Sequence, residues 1–282
     1  MAITTFISTI WEARLLAHLD KALVYGNLCN RDYEGTIRNA GDTVKINQIA
    51  DISVKDYAPA NGDITYQDVD GTPTTLTIDQ QKYFAFKVDD VDAAQANVNL
   101  VDGAMQRASY KLRDTVDQFI AGLHVKAGVT SGLGNDTSPE SIVTAADAYE
   151  SLVDVKTALD GENVPSDGRF VVVPSWFYAL MLKDPRFVQA GTSQTDAVLS
   201  SGFIGRAAGF DIYQSNNVPN EDGTKYKILA GNRTAISFAQ QVSQTEALRL
   251  QDSFADAVRG LLVYGAQVVQ PKALACLTAN NA

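Results

Sequence analysis

From Val91 onward, apolar or small residues fall at Ala94, Val98, Val101, Met105, Ala108, Leu112, Val116, Phe119 and Leu123, and every step is three or four residues. Side chains at that spacing share one face of an α-helix. The pattern holds for more than thirty residues without a proline, with Gly103 and Gly122 as its weak points. Helices in globular proteins average about 11–12 residues. At 1.5 Å per residue this one would extend about 50 Å, longer than a small globular domain is wide. Ala94 and Ala108 are too small for the seam of a strict coiled coil. A rod lying across a flat sheet of strands explains the narrow stripe better. Asp89 and Asp90 are placed to cap the start of the rod and to favour its positive end.

The segment before the rod has a different character. Val44 and Ile46, then Ile52 and Val54, alternate as strand residues do, and a turn-rich patch follows at residues 58–63. The strand pattern resumes at Thr74, Leu76 and Ile78 and runs through Tyr83 to Val88. Between residues 55 and 75 apolar residues are sparse, while Thr, Asp and Gly are abundant. Two strands around such a tip form a hairpin with little core of its own, and an isolated hairpin is marginal in water. It must lean on its own domain or, the reading favoured here, on a neighbouring chain.

An earlier helix is predicted from a capping box at Thr9 and Glu12, with Trp11, Leu15, Leu19 and Leu23 as its stripe and Gly26 as its stop. The stripe suits a core helix or an arm packing on another subunit. After the rod, residues 128–138 read as a loop. Pro139 and Glu140 suit the first turn of a helix that runs to about Leu159 and ends at Asp160-Gly161. Residues 169–174 form a continuous apolar strand, residues 175–182 a compact helix, and Asp184-Pro185 breaks it. A Gly-punctuated turn and strand follow over 202–219, a hairpin turn at 221–224, and strands at 226–230, 235–238, 247–250, 257–264, 266–269 and 274–278. Helices and strands mix throughout, so the fold class is α+β.

The composition narrows function mostly by exclusion. The chain has 282 residues with a net charge of −10, so its surface as a whole does not attract phosphates, although a local basic patch stays open. The opening residues read as neither a basic nor an apolar leader, and no run is long and apolar enough to span a bilayer. Cys29 and Cys276 are far apart, lack any CxxC partner, and read as small buried hydrophobes made in a reducing compartment. The two histidines, His18 and His124, sit on predicted helices near polar faces, and no metal site is indicated. Gly132-Leu133-Gly134 follows a helix instead of a strand and lacks the third glycine of a dinucleotide loop. Asp89, Asp90 and Asp92 read as helix capping in preference to a cation site, and residues 220–223 read as a turn. No catalytic, cofactor-binding or metal residue is assigned.

The order of these elements resembles the major capsid (coat) protein of tailed bacteriophages, the Hong-Kong-97-type capsid fold, and within it a group typified by short-tailed phages. Trp11 to Leu16 with Ala22 to Leu28 is similar to that group's N-terminal arm. Asn30 to Gly35 and Gly41 to Ile46 resemble the run into the family's extended loop, and Lys82 to Asp92 its return strand meeting the spine helix. Val172 to Trp176 and Gly209 to Asn217 resemble strands of the axial domain, and Arg259 to Ala266 the closing strand region.

The resemblance implies an N-terminal arm over 1–42 and an extended β-hairpin loop over 43–82. It implies a peripheral domain from 83–128 and 243–282, with the spine helix near 90–126, and an axial domain over 129–242. It implies a shell subunit, not an enzyme, that self-assembles as hexamers and pentamers around double-stranded DNA in the virion capsid after synthesis in the host cytoplasm. A scaffolding protein, a portal protein, non-specific contact with encapsidated DNA and an optional decoration protein are the implied partners; no membrane and no cofactor are implied. Candidate inter-subunit contacts are Trp11, Leu15 and Tyr25 from the arm and Lys55, Tyr57 and Tyr66 from the loop. Lys55 is also the conceivable donor for the Lys–Asn cross-link found in some members. Two other readings are an encapsulin-type nanocompartment shell, which shares the fold but encloses an enzyme, and a soluble α+β enzyme using carboxylates.

Overall fold

In the computed structural model, the described residues are 24–33, 43–47, 52–53, 66, 73–89, 100–188, 205–249 and 255–281. They form two sheets of unequal size joined by long strands, plus a two-stranded ladder leaning on the smaller sheet.

The rod is present as helix α2, Leu100–Ala121, 22 residues or about 33 Å long. Gly122, a weak helix former, opens a 3-10 segment, Gly122–Lys126, at its end. The stripe faces inward: Met105, Leu112, Val116 and Ile120 are buried. Beneath them lies a three-stranded antiparallel sheet, ordered β10 (Ile236–Arg249), β11 (Ala255–Val268), β3 (Gln80–Asp89). Phe119 meets Tyr264 edge-on at 5.4 Å, fixing the helix on β11. Asp89 is the last residue of β3 and pairs with Ala255; the helix start that Asp89 and Asp90 were expected to cap lies outside the described residues. Residues 90–99, including the rest of the expected rod, lie outside the described residues.

The larger sheet holds seven strands, ordered β4 (Glu140–Ser141), β12 (Leu274–Asn280), β9 (Lys225–Asn232), β5 (Arg169–Val173), β7 (Phe210–Gln214), β6 (Arg206–Ala207), with β8 (Asn220–Glu221) paired to β9. All five residues of β5 are buried, as its unbroken apolar run predicts. Helix α3 (Ala145–Gly161) packs on β12 and on helix α4 (Ser175–Leu182), and a short helix α5 (Pro185–Val188) follows. Arg169 is buried at the start of β5 and returns α3 to the sheet: its Nε donates to Pro165 O at 2.9 Å and its Nη1 pairs with Asp160 Oδ1 at 2.7 Å. The β8–β9 turn carries Asp222 and Gly223 at positive φ, 58° and 75°, as the Glu-Asp-Gly-Thr sequence requires.

Three sequence expectations need correction. Helix α3 does not start at Pro139, because Glu140–Ser141 is taken up as a parallel edge strand on β12. The helix starts after Thr144, whose Oγ1 accepts from Asp147 N at 3.2 Å while Asp147 Oδ2 accepts from Thr144 N at 2.9 Å, a capping box. Gly26 does not stop a helix; it lies within the short helix α1 (Tyr25–Leu28), which ends where Cys29 turns extended. The expected helix before it, residues 9–23, lies outside the described residues. The tail strands predicted at 247–250, 257–264 and 266–269 are parts of two 14-residue strands, β10 and β11. Strand β12 pairs with β9 in the seven-stranded sheet.

One main core runs without interruption from α2 through the inner face of the three-stranded sheet into the seven-stranded sheet. A second, small core of Ile46, Leu76, Ile78, Ala239, Val263 and Val269 lies on the other face of the three-stranded sheet.

Candidate functional site

The second core seats the hairpin. Strands β1 (Thr43–Asn47) and β2 (Pro73–Thr77) pair antiparallel, Thr43 opposite Thr77 and Asn47 opposite Pro73. Ile46 and Leu76 point down, and Ile78 follows on the same side. Gly265 of β11 makes the close approach feasible: a Cβ there would collide with Thr77 O and come within 2.9 Å of Ile78 Cδ1. The base of the hairpin is therefore built into the subunit. Of the described residues beyond it, Ile52 is 66% exposed and Tyr66 92% exposed. Of the loop candidates, Tyr66 is free to touch a neighbour, and Lys55 and Tyr57 lie outside the described residues.

Beyond the hairpin base, the outer face of the three-stranded sheet is open. Alternation puts Phe84 and Phe86 on the core side and Tyr83, Ala85 and Lys87 on the outer side of β3. Tyr83 is 79% exposed, and with Ala85, Leu261, Gly260, Glu246 and Arg259 it lines a shallow hollow of about 360 Å³. Arg259 closes one side with a forked pair to Glu246 Oε2, 2.8 Å from Nε and 2.5 Å from Nη2.

The described end of the arm, residues 24–33, is held against the subunit. Asp117, buried on α2, accepts from Val24 N at 3.0 Å and Gly26 N at 3.4 Å. Burial pushes its carboxyl above the usual range, against the lowering pull of those N–H groups and of Arg113. Asn30 then joins the edge of β10, donating from its N to Ile236 O at 2.8 Å and accepting from Phe238 N at 2.9 Å. Tyr25 is 1% exposed inside the main core, so this proposed contact residue is an internal anchor and offers no surface to another chain. Trp11 and Leu15 lie outside the described residues. The signal that could have placed Tyr25 is its position beside Leu28 and Cys29, all buried within two turns.

Cys29 and Cys276 are free and buried, as expected, and burial pushes both thiols up, Cys276 to about 11. A cleft of about 230 Å³ is lined by His124, Asp136, Glu221, Lys227, Cys276 and Thr278. Its one buried cation, Lys227, is neutralised by Asp136, whose carboxyl is held down mainly by that hydrogen bond. Among the described residues no cluster of three or more His, Cys, Asp or Glu could hold a metal ion, and no helix is long and apolar enough to cross a membrane.

Solved structures share this arrangement. A chain from Mycobacterium phage Che8 is 31% identical, with a TM-score of 0.73 and 90% of each chain covered. The capsid structure of the cyanophage P-SCSP1u matches at 16% identity and a TM-score of 0.71, covering 93% of this chain and 89% of that one. A virus-like particle from Pyrococcus furiosus matches at 13% identity and a TM-score of 0.56, covering 96% and 99%. No curated protein matches the chain. The helix laid on a three-stranded sheet, the seated hairpin and the larger mixed sheet thus define the Hong-Kong-97-like fold of phage shell proteins. A model of the phage capsid protein family matches residues 73–277, more than half of the sequence, and the chain belongs to that family as a major capsid protein, a structural component of the virion that assembles into oligomeric shells.

Proposed function

We propose that this chain assembles as hexamers and pentamers into an icosahedral shell that encloses packaged double-stranded DNA, and that it catalyses no reaction. The observation that carries the reading is the divided hairpin: a base buried on Gly265 in its own small core, and Ile52 and Tyr66 beyond it in solvent. Exposed apolar groups outside any core gain stability when a neighbouring copy covers them. Many such contacts, each weak, sum over the copies in a shell and still permit errors to be corrected during growth.

In this reading residues 1–42 are the arm, 43–82 the extended loop, 83–128 with 243–282 the peripheral part and 129–242 the axial part. Trp11, Leu15, Lys55, Tyr57 and Tyr66 are the contact residues. Assembly takes place in the host cytoplasm with a scaffolding protein and a portal protein, and a decoration protein can bind the finished shell.

Electron microscopy of the expressed chain with its scaffolding protein tests the proposal. Closed shells with fivefold and sixfold capsomers are expected. A monomer or small oligomer that never assembles overturns it. The likeness to the Pyrococcus furiosus particle keeps a second reading, a nanocompartment around an enzyme, in view. Shells that form around a protein cargo and exclude DNA would select it.

A further inference from the structure

The attachment of residues 24–30 to the body carries two costs that nothing at the site offsets. Asp117 on α2 is 2% exposed. What holds its carboxylate is the backbone of the attached segment: Val24 N donates to Oδ2, Gly26 N to Oδ1, and the Tyr25 N–H between them adds to the pull. Arg113, one turn earlier on α2, acts on it as well. Burial still outweighs these donors, so the ionised carboxylate is less comfortable here than in water. The second cost is the Tyr25 hydroxyl, which is buried and has no hydrogen-bond partner among the described residues. Against both stand the apolar contacts of Tyr25, Leu28 and Cys29 with the main core and the bridge from Asn30 to Ile236 and Phe238. All these attachments lie within seven residues, and most are on the single turn of α1, so they form and break together. The body loses no ladder when they break. The Asn30–Ser237 contact is an isolated bridge, and β10 keeps its whole register with β11.

We infer that residues 24–30 form a detachable joint with Asp117 as its latch: they leave the core as one unit while both sheets stay folded, and the chain ahead of Val24 is then free to take a new direction. Opening returns the carboxylate and the phenol hydroxyl to water, which recovers both costs and sets the opening free energy below that of the whole fold. Closing is specific, because the carboxylate must meet consecutive N–H groups and an apolar contact alone would not fix that register. The inference concerns the free subunit and stands whether or not the shell reading holds.

Cys29 is a built-in reporter, since its thiol is free and buried while the joint is closed and its Sγ contacts Tyr25 O at 3.2 Å. The test uses full-length unassembled subunits at one fixed pH. Alkylation of Cys29 by N-ethylmaleimide is followed by peptide mass, and amide exchange in β5 reports opening of the whole fold. In the wild-type chain Cys29 is expected to react while β5 stays protected. D117A leaves the arm N–H groups without their acceptor and should speed Cys29 alkylation about tenfold with β5 exchange unchanged. Y25F removes the unpaired hydroxyl and should slow it about fivefold. These opposite signs separate a latch from simple loss of packing. Y25F is conservative, so its comparison with the wild-type chain decides the matter even where D117A cannot be purified. Cys29 alkylation that keeps pace with β5 exchange in every variant overturns the inference, because the joint then does not open by itself. An unchanged or slower reaction in D117A, or an unchanged or faster one in Y25F, overturns it as well.

Discussion

In the seven-stranded sheet, β5 is buried along its whole length, and Phe170, Phe177 and Phe210 lie with it out of solvent. In the three-stranded sheet, Tyr83 stands in solvent on a face that the hairpin base covers only at one end. Both regions share the main core, so the difference is not one of general stability. The seven-stranded sheet satisfies itself within one chain. The three-stranded sheet keeps an aromatic ring that a single chain does not cover. On the shell reading proposed above, the first part folds before assembly and the second is completed by it.

The comparison can be broken most sharply by removing residues 55–72 and joining the ends with a short Gly-Ser link ahead of Pro73. The expected result is total loss of shells by electron microscopy with an unchanged unfolding midpoint for the free subunit. Normal shells would show that the outer hairpin is not an assembly element. Next in size, Phe210→Ala should cost the free subunit about 3–5 kcal/mol in urea unfolding. Tyr83→Ala should shift it by less than about 0.5 kcal/mol and instead lower the melting temperature of assembled shells. If both changes act alike on the free subunit, the two regions are not different in kind.

A smaller effect is expected from Gly265→Ala. The added methyl pushes against Thr77 O and Ile78, costs about 1–3 kcal/mol, and should speed amide exchange in β1 and β2 while β5 stays protected. The smallest concerns the cap of α3. Thr144→Ala should cost about 1 kcal/mol by thermal unfolding. Asp147 is held below the usual carboxylate range first by the Thr144 N–H, then by its hydroxyl and the Val143 N–H. A depressed carboxyl contributes stability above its unfolded value near 3.8 and loses it as pH falls through the depressed one, so Thr144→Ala should flatten the acid limb of the stability profile.

Much of the fold was legible where a single physical rule dominates. The three-to-four spacing of Met105, Leu112 and Val116 placed the spine helix, the unbroken run at 169–173 placed a strand buried on both faces, and Glu-Asp-Gly-Thr placed a hairpin turn. Failures came where tertiary partners decide. Glu140 looks like a helix start in sequence but is captured by the free edge of β12, and no local signal predicts that edge. Tyr25 reads as an arm aromatic until the carboxylate of Asp117, 92 positions away, holds the backbone on either side of it.

The pairings of β9 with β12 and of β10 with β11 have a mechanical consequence. Two antiparallel chain segments cross together from one sheet to the other, over Asn232–Ile236 and Val268–Leu274, with Ala235 O accepting from Val269 N at 2.8 Å and Gln270 N at 3.2 Å between them. A single strap can swivel about any of its bonds. Two straps laced side by side act like the leaf of a hinge, which bends about one axis and resists torsion about the other. Any change of curvature in the wall that is carried by this crossing is therefore channelled into flexing in one plane.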